Sequence, residues 1–474
     1  MGLETETTRL LQGTVRSLPQ GMNRSGPGRH APIYRPDTLT KLLGAIVVTS
    51  LWRFQDVIGG LSALKLPLLI SILALIALAL DTTPLRRLKN MKSPITWLVL
   101  YLCLHLTLAT AASLNMARSR SFMVRDFLTT IAAFVIVACT IRSVKDLRWV
   151  AGVHMLGAAV YCFMVLLRFR ALDSSGRLCC TPYYDANDIS LVLVSTLPFF
   201  FFFFRDGAAA KTKLWALIAL LPILPVFQLA GSRGGFLGLV TVILCAVVAY
   251  RGIGTGKRVM SVTAGVILLL ILGGASYREK IVSIFHPEDD YNMTDEEGRI
   301  GMWKAGIALA KQHPTLGYGP RSFGEAYGTF SPRAIREGGV PWRAAHNAYV
   351  ELAAEAGFPA SICFIVIVLT AIALCWRVRN RASNPRLGSD GQLLALLAQS
   401  NAIGLVGYVV SSVFLSAEYL TITYFMLGLT IAFGKILKTL EQQTGGPTQG
   451  TVGRRPMRAR VQPGRPVRGL PARA

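Results

Sequence analysis

The sequence predicts an all-α, polytopic helical membrane protein with about 12 transmembrane helices and one large outward loop. Three observations predict this. Mean hydropathy is +0.46 and 52% of the 474 residues are hydrophobic, too apolar for a soluble chain of this length. Apolar runs of roughly 17–25 residues recur, each long enough to cross a bilayer as a helix. Lys and Arg gather in alternate loops between those runs, as membrane orientation requires. Backbone groups inside lipid must be satisfied within the segment, so repeated runs of this kind are helices.

In order, the runs are roughly 41–58, 65–81, 94–113, 126–141, 149–168, 189–204, 214–230, 235–250, 259–275, 357–376, 396–415 and 419–437. Residues 41–275 therefore carry nine crossings and 357–440 three more. The first run is the weakest, because Arg53 and Asp56 interrupt it. Residues 1–40 and 441–474 are basic and rich in Pro and Gly; they read as disordered tails able to touch anionic lipid. The first 40 residues have no short apolar core, so a leader peptide is not expected.

The basic loops are Arg86, Arg87, Lys89 and Lys92; Arg142, Lys145 and Arg148; Arg205, Lys211 and Lys213; Arg251, Lys257 and Arg258; and Arg377, Arg379, Arg381 and Arg386. The C-terminal tail adds seven arginines from Arg454 to Arg473. If each run crosses once, all six segments share one side. The positive-inside rule makes that side cytoplasmic and places both termini there. The net charge of +25 is thus accounted for by topology, and no basic face interleaved with aromatics points to nucleic acid. Of the eight cysteines, only Cys179 and Cys180 lie outside apolar runs. With no C-x-x-C spacing, neither a zinc site nor a redox motif is expected.

The outward loops are 114–125, 169–188, 231–234, 276–356 and 416–418. The fourth is far the longest, and such a loop is usually functional. Orientation should keep arginine out of these loops, yet Arg118, Arg120, Arg125, Arg168, Arg170, Arg177, Arg233, Arg278, Arg299, Arg321, Arg333, Arg336 and Arg343 sit in or beside them. A guanidinium suits phosphate or carboxylate oxygens. Arg233 is flanked by Gly231, Ser232, Gly234 and Gly235. Small residues let an anion approach, and a helix starting near Gly235 would add its N-terminal N–H groups. Arg299 follows the acidic run Asp295, Glu296 and Glu297, so an ion pair is its plain alternative. That run matches no Ca²⁺ loop.

Among six histidines, His105 and His154 lie in apolar runs and read as packing residues. His286 and His313 precede prolines, and His30 is in a tail. His346 is outward, beside Arg343 and Asn347, and opens a short helix over 348–356 that Gly357 stops and Pro359 restarts. An imidazole there can take a proton from a hydroxyl, or can simply cap the helix. Glu351 and Glu355, one turn apart, are consistent with a water-facing side. No metal cluster, P-loop, dinucleotide fingerprint or Ser/His/Asp order is present.

The segments YYDANDISLVLVSTLPF, GSRGGFLGL, GRIGMWKAGIALAKQHPTLGYGPRSFG and AAHNAYVELAAEAGFPASI resemble, in order and spacing, the O-antigen ligase and polymerase superfamily of bacterial inner-membrane glycosyltransferases. The resemblance covers roughly residues 180–375. It implies a GT-C-like helical fold and transfer of a glycan from undecaprenyl diphosphate at the periplasmic face. The acceptor would be a hydroxyl of a glycan, a lipid or a protein. It further implies that Arg233 and Arg299 bind the diphosphate, that His346 activates the acceptor, and that no metal or other cofactor is needed. Arg343 and Asn347 are candidates to orient His346 or a phosphate, against the alternative of a solvated helix start. The competing class is a polytopic transporter such as a lipid-linked-glycan flippase. Its midplane polar or broken helices are not apparent in the nearly charge-free runs.

Overall fold

Long apolar segments bounded by caps and prolines dictate long helices, and the computed structural model consists of them. It describes residues 34–58, 60–168, 178, 184–205, 208–249, 256, 263, 282 and 295–444, and the elements below all belong to the unit Pro36–Ala474. The helices are α1 (Thr38–Ile46), α2 (Leu66–Leu80), α3 (Pro94–Ala111), α4 (Met116–Phe122), α5 (Leu128–Thr140), α6 (Val144–Arg168), α7 (Ala186–Phe204), α8 (Ala210–Leu220), α9 (Ile223–Ala230) and α10 (Arg233–Ala249). They continue with α11 (Arg299–Gln312), α12 (Phe323–Phe330), α13 (Pro332–Glu337), α14 (Ala348–Ala382), α15 (Gly388–Ser412) and α16 (Thr421–Thr444). Short π-helical stretches extend α1 to Leu51 and join α4 to α5.

Among the described residues, nine helical segments are long and apolar enough to cross a membrane. Two shorter apolar helices, Thr38–Leu51 and Arg233–Ala249, match two further expected crossings. The remaining expected run, 259–275, lies outside the described residues, as do Arg170, Arg177, Cys179, Cys180, Arg251, Lys257, Arg258, Arg278, His286, His30 and nearly all of both tails. The first run ends early, at Leu51, because Arg53 adopts a left-handed φ of 48° and pairs with Asp56. The loop expected over 114–125 is mostly helix: Asn115 caps it by accepting the Arg118 N–H at 3.1 Å, so Arg118, Arg120 and Arg125 lie on α4 and its extension.

The core is formed by α14, α15 and α16 with α7, α10, α5 and α3 around them. Small residues set the closest approaches, as in membrane bundles generally. A side chain at Gly238 would meet Ser411 Oγ at 2.0 Å, and one at Gly407 would meet Val242 at 2.5 Å. One end of the bundle is basic. There Arg86 binds Asp37, Asp81 and the Thr140 carbonyl. Lys435 binds the Ala138 and Cys139 carbonyls at the C-terminus of α5, and Arg381 pairs with Glu441. The N-termini of α7, α10, α14 and α16 lie at the opposite end.

That opposite end carries residues 295–347 of the expected large loop. They fold as α11–α13 over a small core of their own, formed by Met302, Leu309, Tyr318, Phe323, Ala326, Tyr327 and Ala345 with Ala354 of α14. The attachment explains the break in α14. Gly357 stands at φ 80°, ψ 167°, which leaves carbonyls of the preceding turn without helical partners. The Tyr318 and Gly319 N–H groups take those of Ala354 and Glu355 at 3.0 and 2.7 Å. His105 of α3 bonds the Ala356 carbonyl at 2.8 Å and that of Thr315 at 3.0 Å. His105 is thus an anchor for this junction, beyond packing. His154 is a packing residue, enclosed by Trp52, Phe199 and Phe425.

Candidate functional site

Arg233 is the first residue of α10, two residues earlier than the sequence suggested, and Ser232 Oγ accepts the Gly235 N–H at 3.1 Å. The glycines beside it serve a different purpose from the one expected. A Cβ at Gly234 would meet Phe414 Cβ at 2.8 Å, and one at Gly235 would meet Ser190 Cβ at 2.6 Å. They are small so that neighbouring side chains can pack against the start of α10.

Arg299 likewise opens its helix, α11, directly after Gly298. Its guanidinium carbon lies 5.8 Å from the centroid of Phe414, and Trp303 lies 6.0 Å from the same ring. Phe414 therefore touches the helix start that carries Arg233 and faces the one that carries Arg299. Glu297 pairs with Arg333 at 2.6 Å and with Arg343, Glu296 pairs with Arg336 at 2.9 Å, and Asp295 accepts the Glu297 N–H.

His346 is half-buried and holds a left-handed φ of 50°. Such a conformation is uncommon without glycine and costs of order 1 kcal/mol or more. It ends in Asn347, whose Oδ1 accepts the Tyr349 and Val350 N–H groups, each at 3.1 Å. Tyr349 in turn bonds Ser412 Oγ at 2.8 Å, two residues before Phe414. Asn347 is thus the cap of α14, and Arg343 is committed to Glu297.

The largest departure concerns Glu351 and Glu355. Expected to face water, they are 5% and 1% exposed. Glu351 accepts the Ser416 hydroxyl and lies in reach of the Ala345 N–H, beside His346. Glu355 accepts the Phe323 N–H at 3.2 Å and the Tyr419 hydroxyl at 2.9 Å, and it faces the Arg321 N–H. A third carboxyl, Glu418, is 1% exposed, and neither oxygen has a hydrogen-bond partner among the described residues. Burial, then Glu351 and Glu355, push it well above the ordinary carboxylate range. Among the described residues no three His, Cys, Asp or Glu groups have metal-binding geometry.

Two guanidinium groups at helix N-termini, where the macrodipole already favours an anion, and one imidazole therefore share one end of a membrane bundle. Residues 217–365, which hold Arg233, Arg299 and His346, match the family model described as O-antigen ligase. This segment is similar to the O-antigen ligase family. An uncharacterized protein of Haemophilus influenzae is also similar, at 21% identity over 247 residues, 50% of this chain and 60% of that protein. The chain thus spans about three-fifths of that relative's length. Phe414, Glu418 and Tyr419 lie beyond the O-antigen ligase match. No local pattern marks them, because their role arises only when the 413–420 turn meets α11 and α14.

Proposed function

We propose that the protein transfers a glycan from undecaprenyl diphosphate to an acceptor hydroxyl at the periplasmic face of a bacterial inner membrane. The acceptor is a glycan, a lipid or a protein. The reading rests on one observation: Arg233 and Arg299 open two helices on either side of Phe414, and His346 lies on the turn that Tyr349 ties to Ser412. All are at the bundle end away from the basic loops, which the positive-inside rule assigns to the cytoplasm.

The chemistry follows from the charges. As the bond from the anomeric carbon to the diphosphate breaks, negative charge grows on the leaving oxygen. Arg233 and Arg299 stabilise that charge from fixed positions. The acceptor oxygen forms the new bond to the anomeric carbon, and its proton passes to His346. Displacement in one step inverts the anomeric configuration. His346→Ala should leave membrane insertion intact while lipid-linked glycan accumulates untransferred. Wild-type transfer by that variant would remove His346 from the mechanism.

A further inference from the structure

Arg321 lies in the GYGPRSFG turn between α11 and α12. It is exposed to solvent. Its guanidinium carbon lies 5.4 Å from the Phe122 centroid. Glu355, Glu418 and Glu351 face it electrostatically, but none comes within ion-pairing distance of it among the described residues. Burial alone would lower its pKa, and those carboxyls more than offset the effect. The group is a fixed cation with hydrogen-bond donors to spare.

The backbone adds a second observation. Arg321 has a left-handed φ of 63°, a conformation that favours glycine and costs an arginine of order 1 kcal/mol or more. The chain holds it there with Glu355, which accepts the neighbouring Phe323 N–H, and with the Gly319 carbonyl, which accepts the Ser322 N–H at 3.1 Å. His346 is the other left-handed residue beside this carboxylate pair, and Glu351 faces the N–H just before it. One turn of α14 therefore props two strained residues, an imidazole and a guanidinium. Arg321 also faces Asp188 near the start of α7, and Ser190, two residues further on, packs at Gly235, two residues from Arg233.

We propose that Arg321 is a third anion-binding group of this site and takes a phosphate of the lipid-linked donor alongside Arg233 and Arg299. The inference rests on the transferase reading above. Its test is the binding of undecaprenyl diphosphate to the purified full-length protein, with undecaprenyl monophosphate and phosphatidylglycerol vesicles as comparison probes. Arg321→Gln should weaken undecaprenyl diphosphate binding about tenfold, the loss of one charge-assisted hydrogen bond, and Arg321→Lys should retain most of it. Arg321→Gly relieves the backbone strain, so it should fold at least as well as wild type and still lose the affinity.

Wild-type affinity in folded Arg321→Gln or Arg321→Gly would overturn the proposal. So would a loss confined to phosphatidylglycerol, which would mark a headgroup contact. The two readings fail separately. If the wild-type protein prefers the diphosphate and Arg299→Gln weakens it while Arg321→Gln does not, only Arg321 is excluded. If the wild-type protein has no preference for the diphosphate, the donor reading itself falls, and this proposal falls with it.

Discussion

Replacing Gly357 by alanine tests whether docking of the 314–319 turn dictates the break in α14. Gly357 occupies φ 80°, ψ 167°, a region that costs a residue with a side chain of order 1–3 kcal/mol. A Cβ there would lie 2.2 Å from the Thr315 oxygen and 2.7 Å from the Pro314 oxygen, so the turn must move. The Pro314 oxygen accepts the Phe358 N–H at 2.9 Å and the Thr315 oxygen bonds His105 at 3.0 Å. Losing both adds about 1–3 kcal/mol at the usual worth of a hydrogen bond. Together these give a destabilisation of about 2–6 kcal/mol. Gly434→Ala is the control. It lies within α16 with nothing inside 4 Å of its Cβ, and alanine there should gain up to about 1 kcal/mol. Thermal unfolding of the purified protein in detergent should place Gly357→Ala well below wild type and Gly434→Ala at or above it. Transfer activity should fall with Gly357→Ala, because the same connection between α11 and α12 carries Arg321. Equal stability of the two variants would refute the idea that the docked turn forces this conformation.

At the basic end, Arg86 is 3% exposed and joins Asp37, Asp81 and the Thr140 carbonyl. Arg86→Ala should cost about 1–3 kcal/mol, since it leaves the buried Thr140 carbonyl and the partly exposed Asp37 and Asp81 carboxylates without their donor, and thermal unfolding reads this directly. The same network predicts acid sensitivity. Burial raises the Asp37 and Asp81 pKa values, but hydrogen bonds from Arg86, Thr40 and Thr83 outweigh it and hold both below the ordinary range. A depressed folded-state pKa contributes stability above the unfolded value near 4, and that stability is lost as pH falls through the folded one. Unfolding midpoints measured from pH 7 downward should therefore drop more steeply for wild type than for Arg86→Ala. Phe414→Leu keeps bulk beside Gly234 but removes the ring that Arg299 faces. Undecaprenyl diphosphate binding should weaken about two- to fivefold, the worth of an exposed cation–π contact, and unchanged binding would dismiss Phe414 as a partner of Arg299.

The helices were legible because their signal is local. An apolar run, Pro94 or Pro332 in a first turn, and Asn347 and Gly357 at the ends of a segment each act within a few residues. Arg233 and Arg299 stand out in the sequence for a different reason: an arginine in an outward loop violates orientation, and a violation is visible in one sequence, whereas His346 stands out only through the family resemblance. Their neighbours do not. The glycines around Arg233 looked like room for an anion, and only the approach of Phe414 and Ser190 shows them to be packing residues. Arg343 lies three residues from His346 in sequence, but its nearest carboxylate, Glu297, lies 46 residues away.

Glu351 and Glu355 are the sharpest instance of this limit. Two carboxylates one turn apart at the start of a helix suit water, and nothing within ten residues contradicts that. Their burial is set by Ser416 and Tyr419, more than sixty residues on, and by Phe323, thirty-two residues back. Charges enclosed from both sides must be paired or neutralised, so the pair has a role that exposure would not have required. It holds the Ala345–His346 turn with one carboxylate and the Arg321–Phe323 turn with the other. The O-antigen ligase match ends at residue 365, before the 413–420 turn that encloses these groups. The recognisable segment thus supplies His346 and two arginines, and the last two helices supply the walls that hold them.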